Sequence, residues 1–223
     1  MLMKQKENTA IILGATGLSG GLLLKLLLAD ENYSKVKLFS RSSVGFKHPK
    51  LEEYLVDLFN SNEYKTDFIG DEVFCCIGTT KSKTPDKETY KKIDFGIPVA
   101  TAKLAKENGI NTYMVISALG ADAKSSVFYN RVKGKMQDEV LKLKIQNTYI
   151  LQPSLIGGSR SEKRTGEWLF KQVMKVFGVL LIGSLKKYKT IEPETIAKAL
   201  VWLANNEYDN VVIESDQIKK LVE

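Results

Sequence analysis

Thr9-Ala10-Ile11-Ile12-Leu13-Gly14-Ala15-Thr16-Gly17-Leu18-Ser19-Gly20-Gly21-Leu22-Leu23-Leu24 is the stretch that decides how this chain folds. Residues 9–13 are a short apolar run of strand length, and from 18 to 30 leucine recurs at nearly every position, as in a well-buried helix. Between the two lie glycines at 14, 17 and 20. A helix N-terminus presents unpaired amides and a partial positive charge, and glycines let an anion come close enough to use them. Gly14 is therefore expected to make the tight turn, Gly17 to admit a dinucleotide pyrophosphate, and Gly20 to let the helix pack on its strand, with Thr16, Leu18 and Ser19 beside the anion. The first gap is one residue longer than in the commonest dinucleotide fingerprint, and no Gly-Lys-Ser or Gly-Lys-Thr follows, as a phosphate loop would require.

Outward from this turn the alternation continues. Residues 35–39, 53–56, 73–77, 112–117, 148–151 and 211–213 read as further strands. Residues 91–108, 130–143, 167–177 and 193–205 read as helices, with Gly109 closing the first and Pro193 opening the last. This pattern predicts one α/β domain over residues 1–223: a Rossmann-type, doubly wound parallel sheet with helices on both faces, its small substrate side formed by loops and the C-terminal segment. Ligands in such sheets bind beyond the carboxyl ends of the strands, where Gly14, Ser40, Gly78, Ser117 and Pro153 fall. Residues 157–166, rich in Gly, Ser, Lys and Arg, read as a mobile loop.

Composition narrows the function classes. With 223 residues and 43% apolar content the chain can bury one substantial core. Residues 1–9 are polar, and the leucine-rich run 22–29 is broken by Lys25 and far short of the roughly 20 apolar residues that span a bilayer. Neither export nor a membrane anchor is expected. The adjacent Cys75 and Cys76 sit in an apolar run and fit a reduced, cytoplasmic setting rather than a disulfide framework. The net charge of +7 comes from 33 Lys and Arg spread along the chain, densest around Lys81, Lys83, Lys87, Lys91 and Lys92 and again at Lys186, Lys187 and Lys189. Few aromatics interleave with them, so an anionic small ligand is expected and a nucleic-acid groove is not. His48 is the one histidine, and no His, Cys or carboxylate spacing suggests a metal.

The residues after the second strand, Ser40-Arg41-Ser42, bear on cofactor choice. An acidic residue there would accept hydrogen bonds from an adenosine ribose, whereas Arg41 can grip a ribose phosphate through paired hydrogen bonds. NADP(H) is favoured over NAD(H). Asp57, with Leu58 beside it, is placed to meet the adenine amino group, and an ordinary loop carboxylate is the other reading of it. Downstream, Tyr129 and Lys133 are four apart and share one helix face. An ammonium near a phenol favours phenolate and makes the hydroxyl a usable acid or base nearer neutrality.

A Tyr and Lys at that spacing occur by chance in many helices, but here they follow a glycine-rich first turn and a serine, Ser117, that ends the fifth strand. With that ordered set the chain resembles the short-chain dehydrogenase/reductase superfamily. Cys75-Cys76-Ile77-Gly78-Thr79-Thr80, Ser117-Ala118-Leu119-Gly120-Ala121-Asp122, Tyr129 to Gly134 and Gly166-Glu167-Trp168-Leu169 are similar to the Tat-interacting-protein-type oxidoreductases, an atypical branch, and the similarity runs from Asn8 to the C-terminus. The resemblance implies that Ser117 hydrogen-bonds a substrate carbonyl oxygen, that Tyr129 gives or takes its proton, and that Lys133 binds the nicotinamide ribose while lowering the Tyr129 pKa. It also implies that Gly78, between Ile77 and Thr79, lines the adenosine side, and that Pro153, Ser154, Leu155 and Ile156 approach the nicotinamide carboxamide. Asp94 stands near the place of an asparagine that members often use in a proton relay, so that relay is not expected to carry over. The implied function is an oxidoreductase acting on a small carbonyl or alcohol. Two other readings stay open: an NADP(H)-sensing regulatory module with a protein partner, and a sugar-nucleotide epimerase or dehydratase. Against the latter, only about 70 residues follow the sixth strand, little material for a substrate domain.

Overall fold

In the computed structural model, residues 7–157 and 187–223 are described. Among them, strands β1 (Asn8–Leu13), β2 (Tyr33–Ser40), β3 (Leu51–Leu55), β4 (Glu72–Cys75), β5 (Thr112–Ile116), β6 (Asn147–Gln152) and β7 (Val212–Glu214) form one sheet in the order β3-β2-β1-β4-β5-β6-β7. Every pairing is parallel. The helices are α1 (Leu18–Ala29), α2 (Lys87–Lys91), α3 (Ile97–Glu107), α4 (Phe128–Lys142), α5 (Pro193–Asn205) and α6 (Ser215–Lys220), with a π-helical turn, Lys92–Gly96, joining α2 to α3.

The doubly wound arrangement follows from the period-2 alternation of buried strands. Ala10 and Ile12 of β1 join a core with Leu23, Leu24 and Leu27 of α1 and Ile196, Leu200 and Leu203 of α5. Ile11 and Leu13 point into a second core, with Ala102 and Leu104 of α3 and Met136 and Val140 of α4. β1 is the turning point of the sheet: the chain winds outward through β2 and β3 on one side and through β4 to β7 on the other. The connections leaving β1 and β4 therefore part, and a crevice opens at their carboxyl ends.

The expected strands and helices are all present within the described residues, with shifted ends. β2 starts at Tyr33, whose buried hydroxyl donates to Glu72 Oε2 at 2.6 Å. The strand expected through 77 ends at Cys75: the Cys76 amide still reaches the Leu13 carbonyl, after which the chain leaves the sheet. The helix expected from 91 begins at Lys87 because the Asp86 side chain accepts the Thr89 amide at 2.7 Å and caps it. Gly109 follows α3 at φ +71°, the left-handed conformation that ends a helix. α6 was not anticipated; it opens on a reciprocal capping box between Glu214 and Gln217. The helix expected over 167–177, and all but Gly157 of the loop expected over 157–166, lie outside the described residues. No helix among the described residues is long and apolar enough to cross a membrane.

Leu27 is wholly buried where α1 meets the sheet and α5. Leu27→Ala should lower unfolding stability by about 2–5 kcal/mol in urea titration. A loss below about 1 kcal/mol would show that α1 is not integral to this core.

Candidate functional site

The glycine turn is built by backbone contact. Gly14 has φ +86°, and a Cβ on it would lie 2.8 Å from the Cys76 carbonyl oxygen, so both conformation and space demand glycine. The Gly17 amide donates to the Gly14 carbonyl at 2.9 Å and closes the turn. A Cβ on Gly20 would collide with that same carbonyl, so Gly20 is the packing glycine. At Gly17 an added Cβ would meet only the Gly14 oxygen, at 3.2 Å, and the residue otherwise borders open space. α1 starts with no side-chain cap and no acidic residue in its first turn. The end of the turn and the start of α1, Thr16 to Gly20, line a cavity of about 1850 Å³, larger than a drug-sized pocket and ample for a dinucleotide beside a small substrate.

The structure brings nearly all the expected site residues to this cavity. Arg41 is exposed on its wall, with Asp57 and Leu58 from the loop after β3. Asp57 Oδ1 accepts the Phe59 amide at 3.0 Å. Ile77, Gly78 and Thr79 line the stretch after β4, and Pro153, Ser154, Leu155 and Ile156 the stretch after β6. One expected residue, Ser40, does not reach the cavity. Ser40 is 5% exposed behind the wall, its hydroxyl spent on the Ser42 carbonyl, because the strand turns it toward its own loop. Ser154 lines the cavity, but its hydroxyl donates to the Lys189 carbonyl and accepts from Ser215, so backbone is what it can offer a ligand.

At the other end, Ser117, Tyr129 and Lys133 share the cavity. Ser117 follows β5 and is 4% exposed, its amide held by the Leu151 carbonyl. Tyr129 stands one turn before Lys133 on α4, and its ring meets that of Tyr90 edge-on at 6.1 Å. Lys133 is 2% exposed; its Nζ donates to the Ile116 carbonyl at 3.2 Å and lies 3.0 Å from Asp94 Oδ1. Asp94 is fully buried in the π-helical turn, with Oδ2 accepting the Thr79 amide at 2.8 Å.

Burial pulls the Lys133 ammonium down, but Asp94 and Tyr129 together outweigh it and the net direction is up, so Lys133 stays charged. For Tyr129 burial raises the pKa, Lys133 lowers it and Asp94 raises it again, for a net rise. The expected pull of Lys133 on the phenol is present but outweighed. Burial also pushes both the Cys75 and Cys76 thiols up, so neither is a ready nucleophile.

Sequence reasoning missed Gln137. It lies four residues beyond Lys133 on α4, 6% exposed, and its Nε2 donates to Ser117 Oγ while its Oε1 accepts from Gln152 Nε2 at 3.0 Å. With its oxygen occupied as an acceptor, Ser117 keeps its own proton free to donate. The available signal was a polar residue on the apolar face of a helix, in series with Tyr129 and Lys133. The loop before α4 is also fixed: Arg131 donates to the Ser125 and Ser126 carbonyls at 2.6 and 3.0 Å, and Gly134 leaves no side chain between α4 and the Asp122–Ala123 backbone. Among the described residues no cluster of three or more His, Cys, Asp or Glu could hold a metal ion.

These contacts separate the glycines by role. Gly17→Val should melt within a few degrees of the parent yet lose dinucleotide affinity by about a hundredfold or more in calorimetry, because the branched side chain fills the anion's place at the helix N-terminus. Gly20→Val should fail to fold or melt far lower. Unchanged affinity in Gly17→Val would reduce the turn to a structural one.

Residues 14–156 match the NAD(P)H-binding family. Protein HTATIP2 of Rattus norvegicus is 34% identical over 181 residues, 79% of this chain and 73% of the relative. Protein FMP52, mitochondrial, of Debaryomyces hansenii is 31% identical over 209 residues, 88% of each chain. Among solved structures, the Bordetella bronchiseptica enzyme WbmH in complex with NAD+ superposes with a TM-score of 0.69 at 15% identity, covering 96% of this chain and 78% of that one, a likeness of fold.

Proposed function

The chain belongs to the NAD(P)H-binding family, as an atypical short-chain dehydrogenase/reductase, and from that premise we propose that it is an NADP(H)-dependent oxidoreductase acting on a carbonyl or alcohol. The observation that carries this reading is that Ser117, Tyr129 and Lys133 line the same cavity as the glycine turn. The residues fit a dinucleotide: α1 opens uncapped, Gly14 brings the turn against the Cys76 carbonyl, and the space beside Gly17 is open.

When bound, the dinucleotide supplies a hydride to a carbonyl carbon or takes one from an alcohol carbon. The chain's own residues do the rest. Ser117, steadied by Gln137, donates a hydrogen bond to the substrate oxygen and so stabilises the negative charge that gathers there. Tyr129 delivers its proton to that oxygen in reduction, leaving a phenolate that regains a proton from solvent; in oxidation the proton runs the other way. Tyr129 is 37% exposed, which gives it the required contact with the cavity and with water. Lys133 supplies the cation that binds the nicotinamide ribose and steadies a transient phenolate. Arg41 takes the ribose phosphate of NADP(H) through a charge-assisted contact. Both cysteines are free, which fits a reducing compartment, the cytoplasm in this reading.

NADPH should bind about ten- to a hundredfold more tightly than NADH, and Arg41→Ala should erase the difference. Fluorescence titration of both dinucleotides decides this, and equal affinities in the parent would remove Arg41 from the argument.

Turnover is tested by following NADPH oxidation across a panel of aldehydes and ketones. Tyr129→Phe should keep NADPH affinity and lose turnover by about 10² to 10⁴. A Tyr129→Phe variant working at the parent rate would overturn the assigned proton donor. A panel that yields no turnover, with NADPH still bound, would favour cofactor sensing over catalysis.

A further inference from the structure

We propose that Asp94 is a positioning residue of this site: it fixes Lys133 on the cavity wall and balances its charge beside Tyr129, so that the resting phenol keeps the proton it would give to a carbonyl oxygen. The proton-donor role of that phenol rests on the oxidoreductase reading above. The electrostatics do not.

A carboxylate with no solvent exposure is costly unless both its oxygens are provided for. Asp94 has the Thr79 amide on Oδ2 and the Lys133 ammonium 3.0 Å from Oδ1, the latter without hydrogen-bond alignment, so that contact is chiefly a charge attraction. The placement is local and specific. Asp94 lies in the wide π-helical turn between α2 and α3, where an extra residue re-aims side chains that a regular helix would point elsewhere, and such turns recur at functional sites. A side chain on Gly78 would touch both Asp94 Oδ1 and Lys133 Nζ, at 3.7 and 3.8 Å, so the pair abuts the cavity wall instead of being sealed beneath it.

The charges around Tyr129 can be counted element by element. α4 contributes Tyr129 itself and the Lys133 ammonium, and the π-helical turn contributes the Asp94 carboxylate. α2 contributes Tyr90, and β4 contributes Cys75; burial pushes both up, so both are neutral near pH 7. Lys87 sits over the Phe128 ring on the exposed side. Among the described residues the enclosed charges are thus one cation and one anion. A lone ammonium beside a phenol stabilises phenolate, the form that accepts a proton, while a compensated ammonium leaves the phenol protonated, the form that gives one. Burial already favours the protonated phenol, and Asp94 adds to it by offsetting the pull of Lys133.

The test uses Asp94→Asn, which keeps an oxygen for the Thr79 amide and removes only the charge. Ionisation of Tyr129 is followed by NMR of tyrosine labelled at Cζ, its signal identified by its loss in Tyr129→Phe. Neither dinucleotide nor substrate is needed, so the outcome is separate from the fate of the oxidoreductase reading. The midpoint should fall by about one pH unit or more in Asp94→Asn, as expected when a nearby ammonium loses its counter-charge. A midpoint that stays or rises would overturn the proposal. If Asp94→Asn does not fold, Asp94→Ser should move the midpoint the same way. Where a substrate is in hand, the pH at which carbonyl reduction falls off should move down by about one unit in the variant, an effect that a merely structural Asp94 would not produce.

Discussion

At the carboxyl end of β1 three stretches of backbone touch with no side chain between them. The Cys76 carbonyl lies where a Gly14 side chain would be, and the Gly14 carbonyl lies where a Gly20 side chain would be. This double contact sets the distance from the sheet to α1 and from β1 to the connection leaving β4, and therefore the width of the crevice that holds the cavity. Packing density resists small changes here, because backbone cannot move aside as a flexible side chain can. The apolar alternation of the strands builds a sheet covered on two faces, but it is the glycine contact that leaves an uncapped helix end opening on the cavity.

The polar groups around that opening, Lys133 and Gln137 buried and Tyr129 reaching solvent, are met in a definite order. On α4, Tyr129, Lys133 and Gln137 stand at successive turns. The first meets the ring of Tyr90, the second meets a carboxylate and a carbonyl, and the third bridges Ser117 to Gln152. Such networks stabilise only when every member is satisfied, and their satisfaction restricts each group to one orientation. The geometry that keeps Lys133 and Gln137 inside the protein is also the geometry that gives them defined donor and acceptor roles.

Most of the fold was legible in the sequence because its signals are local. Apolar runs of four to six residues, Gly109 after α3 and Pro193 at the start of α5 each act within a turn or two of themselves. Ends were misplaced where a side-chain bond decided them, as with Asp86 and the start of α2, and α6 escaped because a reciprocal cap, not an apolar stripe, organises it. The glycine turn was legible for the same local reason, whereas Ser117, Tyr129 and Lys133 stood out only as an ordered set that resembles a known family. What was not legible was pairing across the chain. That Asp94 reaches Lys133, that Gln137 reaches both Ser117 and Gln152, and that Ser154 spends its hydroxyl on Lys189 depend on how helices lie over the sheet, which spacing along one element does not encode.

Three consecutive turns of α4 carry the phenol, the ammonium and the amide that steadies the serine. Their mutual geometry is therefore a property of one rod, independent of the loops around it. Changes in loop length elsewhere would alter what reaches the site without disturbing how its groups face one another. A single residue inserted between 129 and 133 would instead turn Lys133 and Gln137 by about 100° relative to Tyr129 and break the contacts of both together. The site is thus modular with respect to what it binds and indivisible with respect to what it does.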